Sequence, residues 1–449
     1  MLLKMPTNPC RRRWPALPLL ALAMMIAGPA MAQLRLPGGL PAGLPGGLGG
    51  LSDPLRRLPE ARSLEQAMAQ VPLQELRQRT LAELLRRHGD RLETDAAGEP
   101  VVRGELLLAG ATPAQLDAAL SLGFRLLREQ PLDGLDDRLL VLLAPPRGRS
   151  LAEAAALLRA LDPALSVDFN HLYTRSGTAS TSSTSAAQGG ASLLPPRIGL
   201  VDGGIDHRHP TLRALDLQTW GCEGRPVISQ HGTAVASLLV AGEAGGATAP
   251  RLFAADLYCG DSATGGATAQ LAGALAWMAR EQVAVINISL VGPANRVLER
   301  AVRALVERGH LLVAAVGNDG PAAPPRFPAA YPGVVGVTGV GPQRRVLPEA
   351  AQGPQVAFAA PGAELMAARA GERGFSAVRG TSFAAPQVAR LLSRLLPRPD
   401  PAAAQQALLR LQAVAIDLGA PGRDEVYGWG LAQDPTLSAA AVRPAATRP

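Results

Sequence analysis

Ile198-Gly-Leu-Val-Asp202-Gly-Gly-Ile-Asp206 begins as an unbroken apolar run and then stops on an acid. Nothing from Ile198 to Val201 can be turned to water, so a strand there must be buried on both faces. Three more short, largely apolar runs follow, Leu252 to Asp256, Val283 to Leu290 and Leu311 to Val316, the first of them also ending on an acid, with helical spacing of apolar residues between them. Strands covered on both faces imply a parallel sheet sandwiched by helices, the α/β class. In open sheets of that class reacting groups collect at the carboxyl ends of the strands, which is where this run places Asp202.

Three further segments carry chemistry. His231-Gly-Thr-Ala-Val-Ala-Ser-Leu-Leu-Val240 sets a histidine at the head of an apolar helix, and Leu311-Leu-Val-Ala-Ala-Val-Gly-Asn318-Asp-Gly320 ends a strand on an asparagine. Gly380-Thr-Ser-Phe-Ala-Ala-Pro386 puts Ser382 at or beside a helix N-terminus, ahead of an apolar stretch that stops at Pro397. Unpaired N–H groups and the helix dipole at such a terminus favour developing negative charge. A hydroxyl there can attack a carbonyl if a base takes its proton. Each residue alone has a plainer role: Ser382 and His231 as helix caps, Asn318 as a turn residue, Asp202 as a turn cap with Asp206 the acid. His207 and His209 beside Asp206 have the donor types of a metal site but read as a solvated loop, and no metal site is expected. Acid, base, nucleophile and amide donor together make up the set that acyl transfer needs.

In this order the four segments resemble those of the subtilases, the subtilisin-like serine proteases. The resemblance runs from roughly Pro196 to Ala432 and includes the closing segment Asp417-Leu-Gly-Ala-Pro-Gly-Arg-Asp-Glu-Val-Tyr-Gly-Trp-Gly430. It implies a subtilisin-like fold and a serine endopeptidase acting on polypeptides, with Ser382 as nucleophile, His231 as base, Asp202 as its orienter and Asn318 as oxyanion donor. Asp202 fits better than Asp206 because the family's acid precedes a small residue and a glycine. Ser289-Leu-Val-Gly-Pro293 resembles the strand that lines the primary specificity pocket, which makes Ser289, Leu290, Val291 and Gly292 substrate-binding. Gly203 stands where the family more often has Ser or Thr, Ala234 where a second histidine is common, and Val291 where many members have Gly. Arg326, just before Phe327-Pro328, falls near the pocket floor. Val291 and Arg326 together imply small or acidic residues before the scissile bond. No cofactor is expected; no dense carboxylate cluster marks a calcium loop, although the family's calcium sites often use backbone carbonyls. A catalytically silent subtilase fold used for binding is the competing reading, and the intact set of side chains argues against it.

The rest of the 449-residue chain reads as address and preface. Lys4, Arg11, Arg12 and Arg13 precede an apolar stretch from Trp14 to Ala27, and Ala30-Met31-Ala32 has the small-x-small pattern of a signal cleavage site, so residues 1–32 read as a signal peptide for a secreted or periplasmic protein. Those four cations account for much of the formal charge of +7: without them Lys plus Arg falls from 44 to 40 against 37 acids, or +3. No basic patch with interleaved aromatics is left, which removes the case for nucleic acid. Outside the signal no segment is apolar and long enough to span a bilayer. Cys222 and Cys259 remain after signal removal and form a disulfide candidate in an oxidising compartment, two separate thiols being the alternative.

Residues 33–60 are a Gly/Pro/Leu-rich linker, and Ser63 to His88 is helical with Pro72 dividing it. Val101 to Tyr173 alternates as strand, helix, strand, strand, helix, strand, the order of a ferredoxin-like α+β unit. Residues 174–195, crowded with Ser, Thr, Ala and Gly, read as a solvated linker open to proteolysis, and 434–449 as a disordered tail. The subtilase resemblance gives the 61–173 unit a role as propeptide. It would be an intramolecular inhibitor of a monomeric protease at 196–433, with Val167 to Tyr173 lying in the substrate cleft.

Overall fold

The structure, a computed structural model, describes residues 73–136, 139–175, 177–180, 196–241, 250–261 and 263–435. The expected signal peptide, the 33–60 linker, the helical lead-in up to residue 72, the linker from 181 to 195 and the tail from 436 lie outside the described residues. Among the described residues no helix is long and apolar enough to cross a membrane.

Helix α1 (Leu73–Arg87) starts one residue after Pro72 and leads to β1 (Leu92–Thr94). The elements β2 (Pro100–Ala109), α2 (Pro113–Ser121), β3 (Arg125–Pro131), β4 (Leu139–Ala144), α3 (Leu151–Leu161) and β5 (Ser166–His171) then follow in the expected order. Thr112 and Ser150 start the two helices, each with a reciprocal capping box to the residue three positions on, Gln115 and Glu153. The antiparallel sheet runs β3-β4-β2-β5, with β1 added beside β2. That strand order and helix placement define a split βαβ, ferredoxin-like unit.

The chain then runs through two short strands, β6 (Thr174–Arg175) and β7 (Thr178–Ser180), before β8 (Arg197–Asp202) and β9 (Asp216–Trp220). Next come α4 (Gln230–Leu239), β10 (Arg251–Asp256), α5 (Thr268–Arg280), β11 (Val285–Ile288), β12 (Leu290–Val291), α6 (Arg296–Glu307) and β13 (Leu311–Ala315). After these follow β14 (Val335–Val340), β15 (Val356–Pro361), β16 (Leu365–Ala368), β17 (Phe375–Arg379), α7 (Thr381–Ser393) and α8 (Pro401–Val414). Seven strands form one parallel sheet in the order β15-β14-β13-β11-β8-β10-β9. β8 is the point from which the chain builds outward in both directions, so its carboxyl end opens on the crevice where such sheets carry their sites. One face of the sheet packs on α5 and α6. The other packs on α4, α7 and α8, with Phe383, Val388 and Leu392 of α7 fully buried. The run Val283 to Leu290 does not stay one strand: it breaks at Ser289, and β12 leaves the sheet to pair antiparallel with β6.

The ferredoxin-like sheet is apolar on both faces, and both are covered. Leu106 and Leu108 share a core with Phe124, Ala154 and Leu158. Leu107, Ala109, Leu140 and Leu142 face the other way and join the core of α5 and α6 around Leu271, Trp277 and Leu298. Polar contacts fix the register of this contact. Ala267 gives α5 no side-chain cap; Asn170 Oδ1 accepts from Ala269 N–H instead, and Thr268 Oγ1 donates to the His171 carbonyl. Asp168 accepts from the Arg296 N–H at the start of α6. Carboxylate and amide oxygens at helix N-termini satisfy N–H groups that would otherwise lie buried and unpaired.

Two expectations are corrected. Most of Val167 to Tyr173 does not lie in the cleft: β5, up to His171, is an integral strand of the ferredoxin-like sheet, because its alternate apolar side chains are needed in that core. Only Tyr173, at the end of the segment, reaches the cleft strand at Gly292 and Pro293. The residues that enter the cleft are the first part of the expected linker. β6 pairs with β12, and β7 pairs with β17. Ser, Thr and Gly have little apolar surface of their own, but open strand edges supply the hydrogen bonds that order them. The expected tail also starts late, since Asp434 is ion-paired with the buried Arg394.

His310, buried at the start of β13, bonds the Val283 carbonyl through Nδ1, and burial holds its pKa down at about 4. An unfolded histidine protonates near 6.5, so the unfolded chain binds the proton first as pH falls and stability drops between 6.5 and about 4. The native state should therefore lose about 2 kcal/mol between pH 7.5 and 5 from this one residue. Urea midpoints at the two pH values should show a smaller drop for His310→Gln than for the parent chain.

Candidate active site

Asp202 leaves the end of β8 with no exposed surface. A carboxylate so buried needs donors, and it has the Gly203 N–H at 2.6 Å and His231 Nδ1 at 2.7 Å. Because the carboxylate can only accept, Nδ1 carries the hydrogen and Nε2 is left with its lone pair. Nε2 lies 3.0 Å from Ser382 Oγ. His231 is the second residue of α4, whose N-cap Ser229 accepts from the Gly232 N–H. The helix approaches the chain after β8 so closely that a Cβ on Gly232 would stand 2.3 Å from the Gly203 carbonyl oxygen; only glycine fits there.

Ser382 occupies the first turn of α7. Pro386 lies inside that helix and has no N–H to return to the Ser382 carbonyl four residues back. Ser289 Oγ–H bonds that carbonyl instead at 3.0 Å, and Asn287 Nδ2 donates to Ser289 Oγ at 2.9 Å. The Ser289 hydroxyl thus holds the nucleophile's backbone. Asn318 is aimed by a hydrogen bond from the Thr381 N–H to its Oδ1, while its buried Nδ2 has no partner among the described residues. A hydroxyl beside a base, with an unpaired amide donor tethered to the same turn, can take an acyl group and stabilise an oxyanion.

The cleft is filled by the chain itself. Arg175 pairs with Leu290 and Thr174 with Val291, so β12 holds the incoming strand as its edge partner. Tyr173 is fully buried, its OH donating to the Pro293 carbonyl and its N–H to the Gly266 carbonyl. Gly177 lies against the nucleophile, where a Cβ would stand 2.4 Å from Ser382 Oγ. Thr178 then pairs with Arg379 on the far side. A cavity of about 380 Å³ runs beside this segment, lined among others by Val227, Ile228, His231, Asp256 and Tyr258.

Of the residues expected to bind substrate, Leu290, Val291 and Gly292 line the strand side and Ser289 turns inward. Val291 Cγ1 and Arg326 Cγ both reach the space beside Gly317, 3.7 and 3.6 Å from a Cβ placed there. The Arg326 guanidinium does not stand free on a pocket floor: it pairs with Glu99 at 2.6 Å and Asp319 at 3.2 Å, and Arg77 bridges the same two acids. Two of these four charges come from the N-terminal unit, too distant in sequence for any local pattern to show. Tyr258 and Asp256 were missed as site residues. The signal for Asp256 was present, since it ends its apolar run as Asp202 does and the two stand side by side in register.

The loop after Asp202 is only partly solvated as expected: His207 and Arg208 are exposed, whereas Asp206 and His209 are buried. Asp206 accepts from the Gly371 N–H, and His209 Nε2 bonds the Gly374 carbonyl, pinning the loop before β17. Cys222 and Cys259 are joined to each other. Asp256 lies beside them, but its carboxylate is engaged by the N–H groups of Val227, Tyr258 and Cys259. The bridge closes a loop of 37 residues that contains His231. Replacing both cysteines by serine should lower stability by about 3–4 kcal/mol on the loop-entropy account, read as a shift in the urea midpoint.

Residues 196–430 match the model of the subtilase family. The minor extracellular protease Epr of Bacillus subtilis is 34% identical over 159 residues, 35% of this chain and 24% of that protein. Subtilisin E of Bacillus subtilis is 29% identical over 247 residues, 52% of this chain and 63% of subtilisin E. The chain thus spans less than two thirds of the length of either relative. Fervidolysin from Fervidobacterium pennivorans, described as a keratinolytic enzyme related to subtilisin, superposes with a TM-score of 0.62 over 76% of this chain and 61% of that structure at 18% identity, a likeness of fold.

Proposed function

Because the chain belongs to the subtilase family, we propose that it is a secreted or periplasmic serine endopeptidase, made as a zymogen and acting through Asp202, His231 and Ser382. The observation that carries this reading is the hydrogen-bond chain from Asp202 through His231 to Ser382, at 2.7 and 3.0 Å. His231 Nε2 takes the Ser382 proton as Oγ attacks the peptide carbonyl, and Asp202 stabilises the imidazolium that forms. The tetrahedral oxygen receives the Asn318 Nδ2–H and the Ser382 backbone N–H. His231 then hands its proton to the leaving amine, and water repeats the sequence on the acyl-enzyme.

The N-terminal unit is read as a propeptide because its last strand leads straight into the cleft, past Ser382 at Gly177. Export is supported by the signal-like residues 1–32 and by the disulfide. The narrow space between Val291 and Arg326 favours a small residue before the scissile bond, whereas the Arg326 guanidinium, paired with Asp319, offers no free cation to an acidic one; peptide-library cleavage after large aromatics would contradict this.

A fluorophosphonate probe should label the matured protein and leave Ser382→Ala unlabelled. Absence of Ser382-dependent labelling and of peptide cleavage after maturation would leave a binding role for the fold. Asn318→Ala should lower kcat by about 100- to 1000-fold, a magnitude established for subtilisin. N-terminal sequencing of the matured chain should find the cut immediately before Gly177, and Ser382→Ala should stay uncut.

A further inference from the structure

Arg175 is held more closely than a linker residue should be. Its guanidinium carbon stands 4.0 Å above the centre of the Tyr258 ring, and Nε lies 3.9 Å from Asp202 Oδ1. The ring is fixed from behind: Tyr258 OH donates to the Tyr173 carbonyl at 2.9 Å, so the strand it holds and the cation it faces belong to one chain segment. Burial pushes the Tyr258 phenol well above its usual range, which keeps the ring neutral opposite the cation.

Three features make this a slot rather than a chance contact. Gly203, the position where the family more often carries Ser or Thr, has no side chain here; a Cβ would stand 2.7 Å from Ser229 Cβ and 3.2 Å from Arg175 Nη2, so the slot has no room for one beside the cation. The slot is electronegative, because Asp202 and Asp256 are both buried at the ends of adjacent strands. Asp256 is bonded by three backbone N–H groups and Asp202 by one N–H and a histidine, so neither has a formal cation of its own while His231 is neutral. The 380 Å³ cavity also opens along the Arg175 side chain, between Tyr258, Asp256 and His231. A planar, delocalised guanidinium can stack on the ring and present N–H groups to a carboxylate at once, which a lysine ammonium cannot.

We propose that Gly203, Tyr258 and Asp202 form an arginine subsite, so that the mature enzyme favours polypeptides carrying arginine two residues ahead of the residue seated against Ser382. The assignment rests on the endopeptidase reading and adds a substrate class to it. Arg175 is then the chain's own occupant of a site that substrates fill after the N-terminal unit departs.

The test uses the enzyme matured from the full-length chain and internally quenched peptides copying residues 171–180, with Arg, Lys, Ala or Glu at the place of Arg175. The Arg peptide should exceed the Ala peptide in kcat/KM by about tenfold or more, Lys should fall between them, and Glu should be the poorest. In Gly203→Ser, and separately in Tyr258→Leu, the Arg-to-Ala ratio should collapse toward one whatever happens to the absolute rate. Equal kcat/KM for Arg and Ala peptides in the parent enzyme would overturn the subsite while leaving the protease reading intact. Fluorophosphonate labelling of Ser382 separates the two failures: no labelling and no cleavage of any of the four peptides overturns the reading on which the subsite rests.

Discussion

A carboxylate with no exposed surface is costly unless every lone pair that matters is answered, and Asp202 is that carboxylate. Its donors come from the next residue in the chain and from His231, 29 residues later, in the first turn of α4. Meeting that demand brings α4 so close to the end of β8 that Gly232 has no room for a side chain. It also fixes the tautomer of His231, which fixes where Ser382 must stand. Ser382 in turn needs α7 to begin at the right height, and the helix carries a proline that frees the nucleophile's carbonyl for Ser289. The geometry of the site follows from satisfying one buried charge and one orphaned carbonyl.

The same logic of unanswered groups explains the N-terminal unit. Helices α5 and α6 start beneath it, and α5 has no cap of its own. Asp168 and Asn170 meet N–H groups there, while Leu107, Leu140 and Leu142 cover apolar surface that would otherwise face water. The four-charge group of Arg77, Glu99, Asp319 and Arg326 spans the same boundary. Removing the unit would expose apolar area and leave Arg326 with Asp319 alone, so the contact is strong in structure and consequential when lost. Strand pairing of Thr174 and Arg175 with β12 ties that contact to the cleft.

Much of this was legible in the chain. Continuous apolar runs ending on Asp202 and Asp256 mark a buried parallel sheet, and the helix starts at His231 and Ser382 carry their chemistry in local sequence. β9, β14 and β15 were not legible: β9 is a polar edge strand, β14 is interrupted by Gly336 and Gly339, and β15 carries three alanines and ends on a proline. The strand pairing of Thr174–Arg175 and Thr178–Ser180 escaped for a different reason. A Ser/Thr/Gly segment has no pattern of its own, and its structure is supplied by the edges of β12 and β17, more than a hundred residues away. Arg326 shows the same limit, since proximity to the pocket could be inferred but its partner Glu99, 227 residues distant, could not.

In the uncut chain Thr174–Arg175 pair with β12 and Thr178–Ser180 with β17, with Gly177 against Ser382 between them. Amide hydrogen exchange on full-length Ser382→Ala, which cannot cut itself, reads this directly. Exchange should be slow at the strand-paired amides of Thr174–Arg175 and Leu290–Val291 and at those of Thr178–Ser180, with this protection lost together when the N-terminal unit is absent. Exchange at the rate of an unprotected peptide at these positions in the intact chain would contradict this pairing.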